Sequence, residues 1–146
     1  MRILFQDTED LTVVSALLQD ALVRVGDIVR TAHTRRFAFV ANRFCWDAVK
    51  RPLGVLPPMG PFKRVDAGVH FDGVIDVKVQ GVTLGETERV LELLTIEFTP
   101  GEPPGGVITL AFAGGATLAV QVECIEGGLA DVGEPRQTAY MPRHGR

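Results

Sequence analysis

From Ile108 to Val122 the chain reads ITLAFAGGATLAVQV, with large apolar residues recurring at every second position on both sides of a Gly-Gly pair. That spacing is the period of a half-buried strand, and two such runs around glycines describe an antiparallel hairpin. The pattern also selects the turn. A two-residue turn at Gly114-Gly115 sets Leu110 opposite Ala119 and sends the two apolar sets to opposite faces of the sheet, because a slip of one residue inverts every side chain. A three-residue loop, Ala113-Gly114-Gly115, with Gly115 in the left-handed region, instead places Leu110 opposite Leu118 and Ile108 opposite Val120. One apolar face results. The same parity carries Cys124 inward with Leu118, Val120 and Val122 and leaves Glu123 in water, so VQVECIE is read as a strand end with a buried structural thiol. Flanking carboxylates would oppose thiolate formation, and no nucleophile is assigned there.

A chain that contains such a hairpin needs a core to cover it. At 146 residues it is long enough for one ordinary domain, of which roughly 70% of the unfolded surface is buried on folding. Hydrophobic residues make up 46% and charged residues 23%, a balance that fits a globular chain, while 16 Gly and 9 Pro imply many turns. No apolar run reaches the ~20 residues of a membrane helix, and MRILFQDTED becomes acidic too early for a signal peptide. The expectation is a cytoplasmic protein with no membrane partner and with Cys45 and Cys124 reduced and unpaired.

Hydrophobic periodicity supplies the remaining elements. Arg2 to Gln6 reads as a short strand. Asp7 or Thr8 offers an N-cap, Glu9 and Asp10 put negative charge in a first turn, and Leu11, Val14, Leu18 and Leu22 share one stripe, which predicts a helix over 8–21. Val23–Thr31, a turn at Ala32–Arg35 and Arg36–Arg43 read as a hairpin. From Cys45 to Asp66 a Pro-rich stretch predicts a long loop. Val69, Phe71, Ile75, Val77 and Val79 share one parity of a long strand, with Gly73 marking a bulge or bend. Residues 90–99 predict another strand, GEPPGG a loop, and Leu129–Val132 a helical turn. The expected fold class is α+β: a mainly antiparallel sheet of six or seven strands, strongly bent or a partly open barrel in the manner of a pleckstrin-homology domain, with one N-terminal helix. The domain spans 1–132, and 133–146 is read as a tail.

Charge is distributed unevenly. Arg24 to Arg64 contains nine Lys/Arg against Asp27 and Asp47, whereas the rest holds six basic and sixteen acidic residues. Such polarity serves an external anion, an acidic partner, or the two halves of one molecule. Arg30, Arg35, Arg36, Phe37, Phe39, Arg43, Trp46, Lys50, Arg51, Lys63 and Arg64 are therefore the candidate contact residues. RRFAFV resembles the core of the RNA-recognition-motif octamer, in which aromatics on a central strand stack on bases, and the preceding strand-helix-strand order fits. Against this, the glycine expected at Arg36 is missing, Asn42 stands where the last aromatic belongs, and no second helix follows Cys45. The competing reading buries Phe37 and Phe39, and solvent exposure separates the two.

His70, Asp72 and Asp76 fall on one polar face but lack a further histidine at metal-ligand spacing. Trp46 serves either as a plug at the mouth of the long loop or as a partner-binding anchor. No catalytic, cofactor or metal residue is assigned.

EDLTVVSALLQDALVRVGDIV, RRFAFVANRFCWD, LTIEFTPGEPPGGVITLAFAGG and VECIEGGLADVG together resemble the bacterial family known as DUF2948, in order, from about Leu4 to Gly133. Leu53 to Phe62 departs from the pattern. The resemblance implies a small cytosolic protein of one domain, and the family brings no activity, cofactor or catalytic residue. The leading functional reading is a non-enzymatic binding or protein-interaction module, with an unknown protein or a second copy as partner. The alternative is RNA or polyanion binding through the basic aromatic hairpin 30–43.

Overall fold

The computed structural model describes residues 1–46, 49, 62–138 and 140–142. Ten strands and one α-helix follow in the order β1 (Arg2–Phe5), α1 (Thr8–Leu17), β2 (Leu22–Arg24), β3 (Val29–Thr31), β4 (Arg36–Phe44), β5 (Phe62–Phe71), β6 (Val74–Gln80), β7 (Val90–Pro100), β8 (Gly106–Phe112), β9 (Thr117–Val122) and β10 (Gly127–Thr138). All pairings are antiparallel, in the order β1-β10-β5-β4-β2-β7-β8-β9-β6, with β3 also paired to β4. The sheet bends strongly around one core and does not close.

The final hairpin has the expected register. Leu110 opposes Leu118, Ile108 opposes Val120, and the loop is Ala113–Gly115 with both glycines at positive φ. Ile108, Leu110, Phe112, Leu118, Val120 and Val122 are all buried. The other glycine of the reading, Gly73, lies at φ 64° where the chain leaves β5 and enters β6, so the bend is real and divides the long strand in two.

Ten strands replace six or seven for three reasons. The Val23–Thr31 run is broken by a 3-10 turn at Val25–Asp27, the 69–80 run bends at Gly73, and Gly127–Thr138 is a strand. Residues 129–132, expected to turn helically, are strand residues that pair with both β1 and β5. The supposed tail is likewise paired to β5 as far as Thr138. Gly127 permits this, because a Cβ there would collide with the His70 carbonyl and the Phe5 ring; without one, Phe5 and Phe71 meet at 5.5 Å across it. Residues 62–66, expected to belong to the long loop, are strand residues of β5, and most of the remainder of that stretch lies outside the described residues.

Two bulges shift the predicted parity. One between Val74 and Asp76 turns Val74 inward and leaves Ile75 44% exposed; another between Leu93 and Thr95 puts Leu94 at the surface. The Ser15 hydroxyl accepts the Ile96 N–H at 2.9 Å beside the second bulge and so ties α1 to β7. The helix is capped by Asp7, whose carboxylate accepts the Asp10 N–H at 2.8 Å, while Asp10 accepts the Gln6 N–H in return. It stops at Leu17 rather than residue 21. Asp20 takes φ 62° and donates its N–H to the Leu93 carbonyl, which turns the chain into β2. Leu11, Val14 and Leu18 enter the core, whereas Leu22 belongs to β2 and faces out.

Candidate functional site

Five arginines of the basic segment pair with acids of the same molecule. Arg24 pairs with Asp27 at 3.1 Å and Glu88 at 3.2 Å, Arg30 with Asp76 at 3.7 Å, Arg36 with Asp72 at 2.8 Å, and Arg35 with Glu123. Arg43 is 2% exposed and grips Asp131 with two hydrogen bonds of 2.9 and 2.8 Å. Except for Asp27, the acids in these pairs all lie at residue 72 or beyond. These five arginines are therefore paired within the fold, mostly with acids of its later half. The surface pairs contribute little energy each; their consequence is that the arginines are engaged.

Phe37 and Phe39 are buried at 0% and 2% exposure, in a cluster with Phe5 and Phe71, and cannot offer ring faces to a base. Arg43, on the same side of β4, is likewise interior. These three are corrections to the expected contact surface, and the cause is parity: residues 37, 39, 41 and 43 are the inward set of a strand whose outward set is 36, 38, 40 and 42. Trp46 donates its indole N–H to the Gln19 carbonyl at 2.9 Å and packs edge-on against Phe44 at 4.5 Å, the geometry of a plug. Arg64 donates to the carbonyl and side-chain oxygens of Asn42, both at 2.9 Å; burial lowers its guanidinium pKa from the ordinary value, with Asp20 and Glu92 acting in the opposite direction. Lys63 opposes Gln137 on β10. Lys50 and Arg51 lie outside the described residues.

The polar constellations do not converge. His70 approaches Asp72 at 3.5 Å, but the bulge carries Asp76 to Arg30. Among the described residues no group of three His, Cys, Asp or Glu is placed to hold a metal. Strand β9 ends at Val122, so the inward parity does not reach Cys124; Ile125 takes the buried position and Cys124 is half-exposed, unlike the buried Cys45. Glu123 is held by Arg35 and by its own N–H bond to the Gly73 carbonyl, which keeps it apart from a shared site with the thiol.

What the sequence reading missed is the outward set itself. Registers place Val29, Ala38, His70, Gly128 and Leu4 in one row across the sheet, and Val40, Gly68, Ala130 and Arg2 in the next. Leu22 and Val132 follow in the row of Asn42 and Asp66. Leu4 is 71% exposed, Val132 61%, Val29 54%, Leu22 39% and Val40 38%. Between these aliphatics the floor consists of Ala38, Gly68 and Ala130, and it forms a shallow trough of about 490 Å³ rimmed by Arg2, Asp27, Arg36 and His70. In a half-buried sheet the outward face is normally polar, and a cluster of large aliphatics there departs from that pattern. The sequence carried a signal for it: the even positions 38, 40 and 68 hold small or apolar residues where charged ones are usual.

No curated protein and no solved structure matches the chain. The family model described as protein of unknown function (DUF2948) matches residues 1–144, nearly the whole chain, and the chain therefore belongs to the DUF2948 family.

Proposed function

We propose that the protein is an interaction module whose working surface is the outward face of the sheet formed by β2, β3, β4, β5, β10 and β1. The observation that carries this reading is the exposure of Leu4, Leu22, Val29, Val40 and Val132 on one face around a floor of small residues. Water meets that apolar area at a cost of roughly 25 cal/mol per Å², which a protein partner relieves by covering it. The face is nearly neutral, because Arg24 and Arg36 are already paired there, so apolar contact rather than a phosphate backbone is what it offers. The polyanion alternative gains no support from the described hairpin residues, since Phe37 and Phe39 are interior and Arg30, Arg35, Arg36 and Arg43 have acidic partners.

Cross-linking of the wild type, alone and in extract, compared with Val40→Glu and Leu4→Glu, tests the reading. Val13→Glu, at a 53% exposed position on α1, is the control. Cross-linked products lost in the two face variants and kept in the control support the surface; identical patterns in all four proteins contradict it.

A further inference from the structure

Gly68 is the residue on this surface that the fold does not explain. It sits inside β5 between Val40 of β4 and Ala130 of β10, in ordinary extended backbone. A glycine in a strand interior weakens the strand, and it persists where a side chain would collide with something. At Gly127 and Gly106 that something is visible, since a Cβ would strike the chain's own backbone and a phenylalanine ring. At Gly68 a Cβ would meet only the Ala130 carbonyl oxygen, at 4.0 Å, with no other described atom as near. The space above Gly68 is open within one molecule, which points to an occupant from another.

We propose that the occupant is a second copy of this chain, packed face to face through a two-fold axis, with Gly68 and Ala130 letting the two sheets approach closely. This rests on the outward sheet face being the working surface and adds the identity of the partner. A two-fold interface brings one patch against itself, so the patch must carry its own knobs and holes. This one does: Val29, Val40, Leu4 and Val132 project, and Ala38, Gly68 and Ala130 recede. Its charges are also self-complementary. Arg2 and Asp66 have no ionic partner among the described residues, are opposite in sign and flank the Gly68–Ala130 pair, so a two-fold axis between them sets each Arg2 against the other copy's Asp66. The area sets the strength. Five strand positions, from β1 through β10, β5 and β4 to β2 and β3, at ~4.8 Å spacing over ~20 Å of strand give a footprint of about 500 Å² per copy and about 1,000 Å² for the pair, the lower edge of a specific interface. The dimer is therefore weak and reversible, with a dissociation constant on the order of micromolar to submillimolar.

Sedimentation equilibrium of the wild type across a concentration series, beside Gly68→Gln, Val40→Glu and the control Val13→Glu, tests this. Thermal unfolding of each variant at low concentration confirms that the monomer is folded; Val40 is a solvent-facing position, so that variant serves if Gly68→Gln does not fold. The expected result is a monomer–dimer equilibrium in the wild type and in Val13→Glu, with the dissociation constant raised at least roughly tenfold in both face variants. A wild type that stays monomeric to about 1 mM overturns the second copy as partner; the surface itself then stands if Val40→Glu still loses cross-links to a different protein. A dimer indifferent to Gly68→Gln and Val40→Glu overturns the proposal as well, and with it the placement of the working surface.

Discussion

Single residues decide how this chain divides its polar groups between structure and surface. Arg43 occupies a core-facing position of β4 and is held there by two hydrogen bonds to the Asp131 carboxylate. Arg43→Ala leaves the Asp131 carboxylate with the N-terminal ammonium as its remaining ionic partner and empties a buried site, so it is expected to destabilise the fold by about 2–4 kcal/mol, measured by urea unfolding. The pair also makes stability depend on acidity. The hydrogen bond from Arg43 holds the Asp131 carboxyl below its ordinary value, against an opposing effect of burial. A carboxyl with a lower pKa folded than unfolded stabilises the fold fully above the ordinary carboxylate pKa of about 4, and that contribution is lost as pH falls from there through the depressed value. Asp131→Asn should accordingly flatten the acid limb of a stability–pH curve, and an unchanged limb would show that Asp131 titrates normally. The thiols give a second contrast: in the native protein a thiol reagent should modify the half-exposed Cys124 well before the buried Cys45, and equal rates would refute the placement of Ile125 as the residue that replaces Cys124 in the core. None of this was legible in the sequence, where Arg43 looked like one more member of a basic patch and Cys124 like the end of a strand. An inward parity can be counted, but the carboxylate that holds Arg43 there comes from 88 residues away.

At the scale of elements, local pattern was informative wherever a turn forces the register. The hairpin of β8 and β9 followed from alternation plus Gly114-Gly115, and its loop depends on glycine at both positions, with φ of 85° and 92°. Gly115→Val should cost about 1–3 kcal/mol of stability through backbone strain alone, and a change below 0.5 kcal/mol would show the loop adopting another turn. The same reasoning failed at β10. Leu129-Ala130-Asp131-Val132 has no clean alternation, because Leu129 and Asp131 both point inward, the latter to meet Arg43. Bulges in β6 and β7 likewise reverse parity at one residue, and only the partner strand reveals where that extra residue is absorbed. Glycines separate the two kinds of constraint. Gly68→Ala adds a methyl where none is contacted, and should stabilise the monomer by about 0.5–1 kcal/mol, whereas Gly127→Ala drives a methyl into the His70 carbonyl and should destabilise it by more than that. Calorimetry at low protein concentration distinguishes the signs.

For the molecule as a whole, a bent sheet with α1 and β6 to β9 around one core leaves the outer side of β4, β5 and β10 uncovered by any described element. In the sequence, charge and aromatics drew attention to Arg36, Phe37 and Phe39; the sheet turns the two aromatics inward, pairs Arg36 with Asp72, and leaves Ala38 and Val40 beside it on the outward face. Small residues carry little signal in a sequence, and only the register of three strands assembles Ala38, Gly68 and Ala130 into one trough. Carbene footprinting read by mass spectrometry, at concentrations well below and well above the association midpoint, measures this surface directly. Labelling of Leu4, Val29, Val40 and Val132 should fall at high concentration while Val13 and Leu84 remain equally labelled; uniform labelling of all six at both concentrations would contradict an outward sheet face that works by being covered.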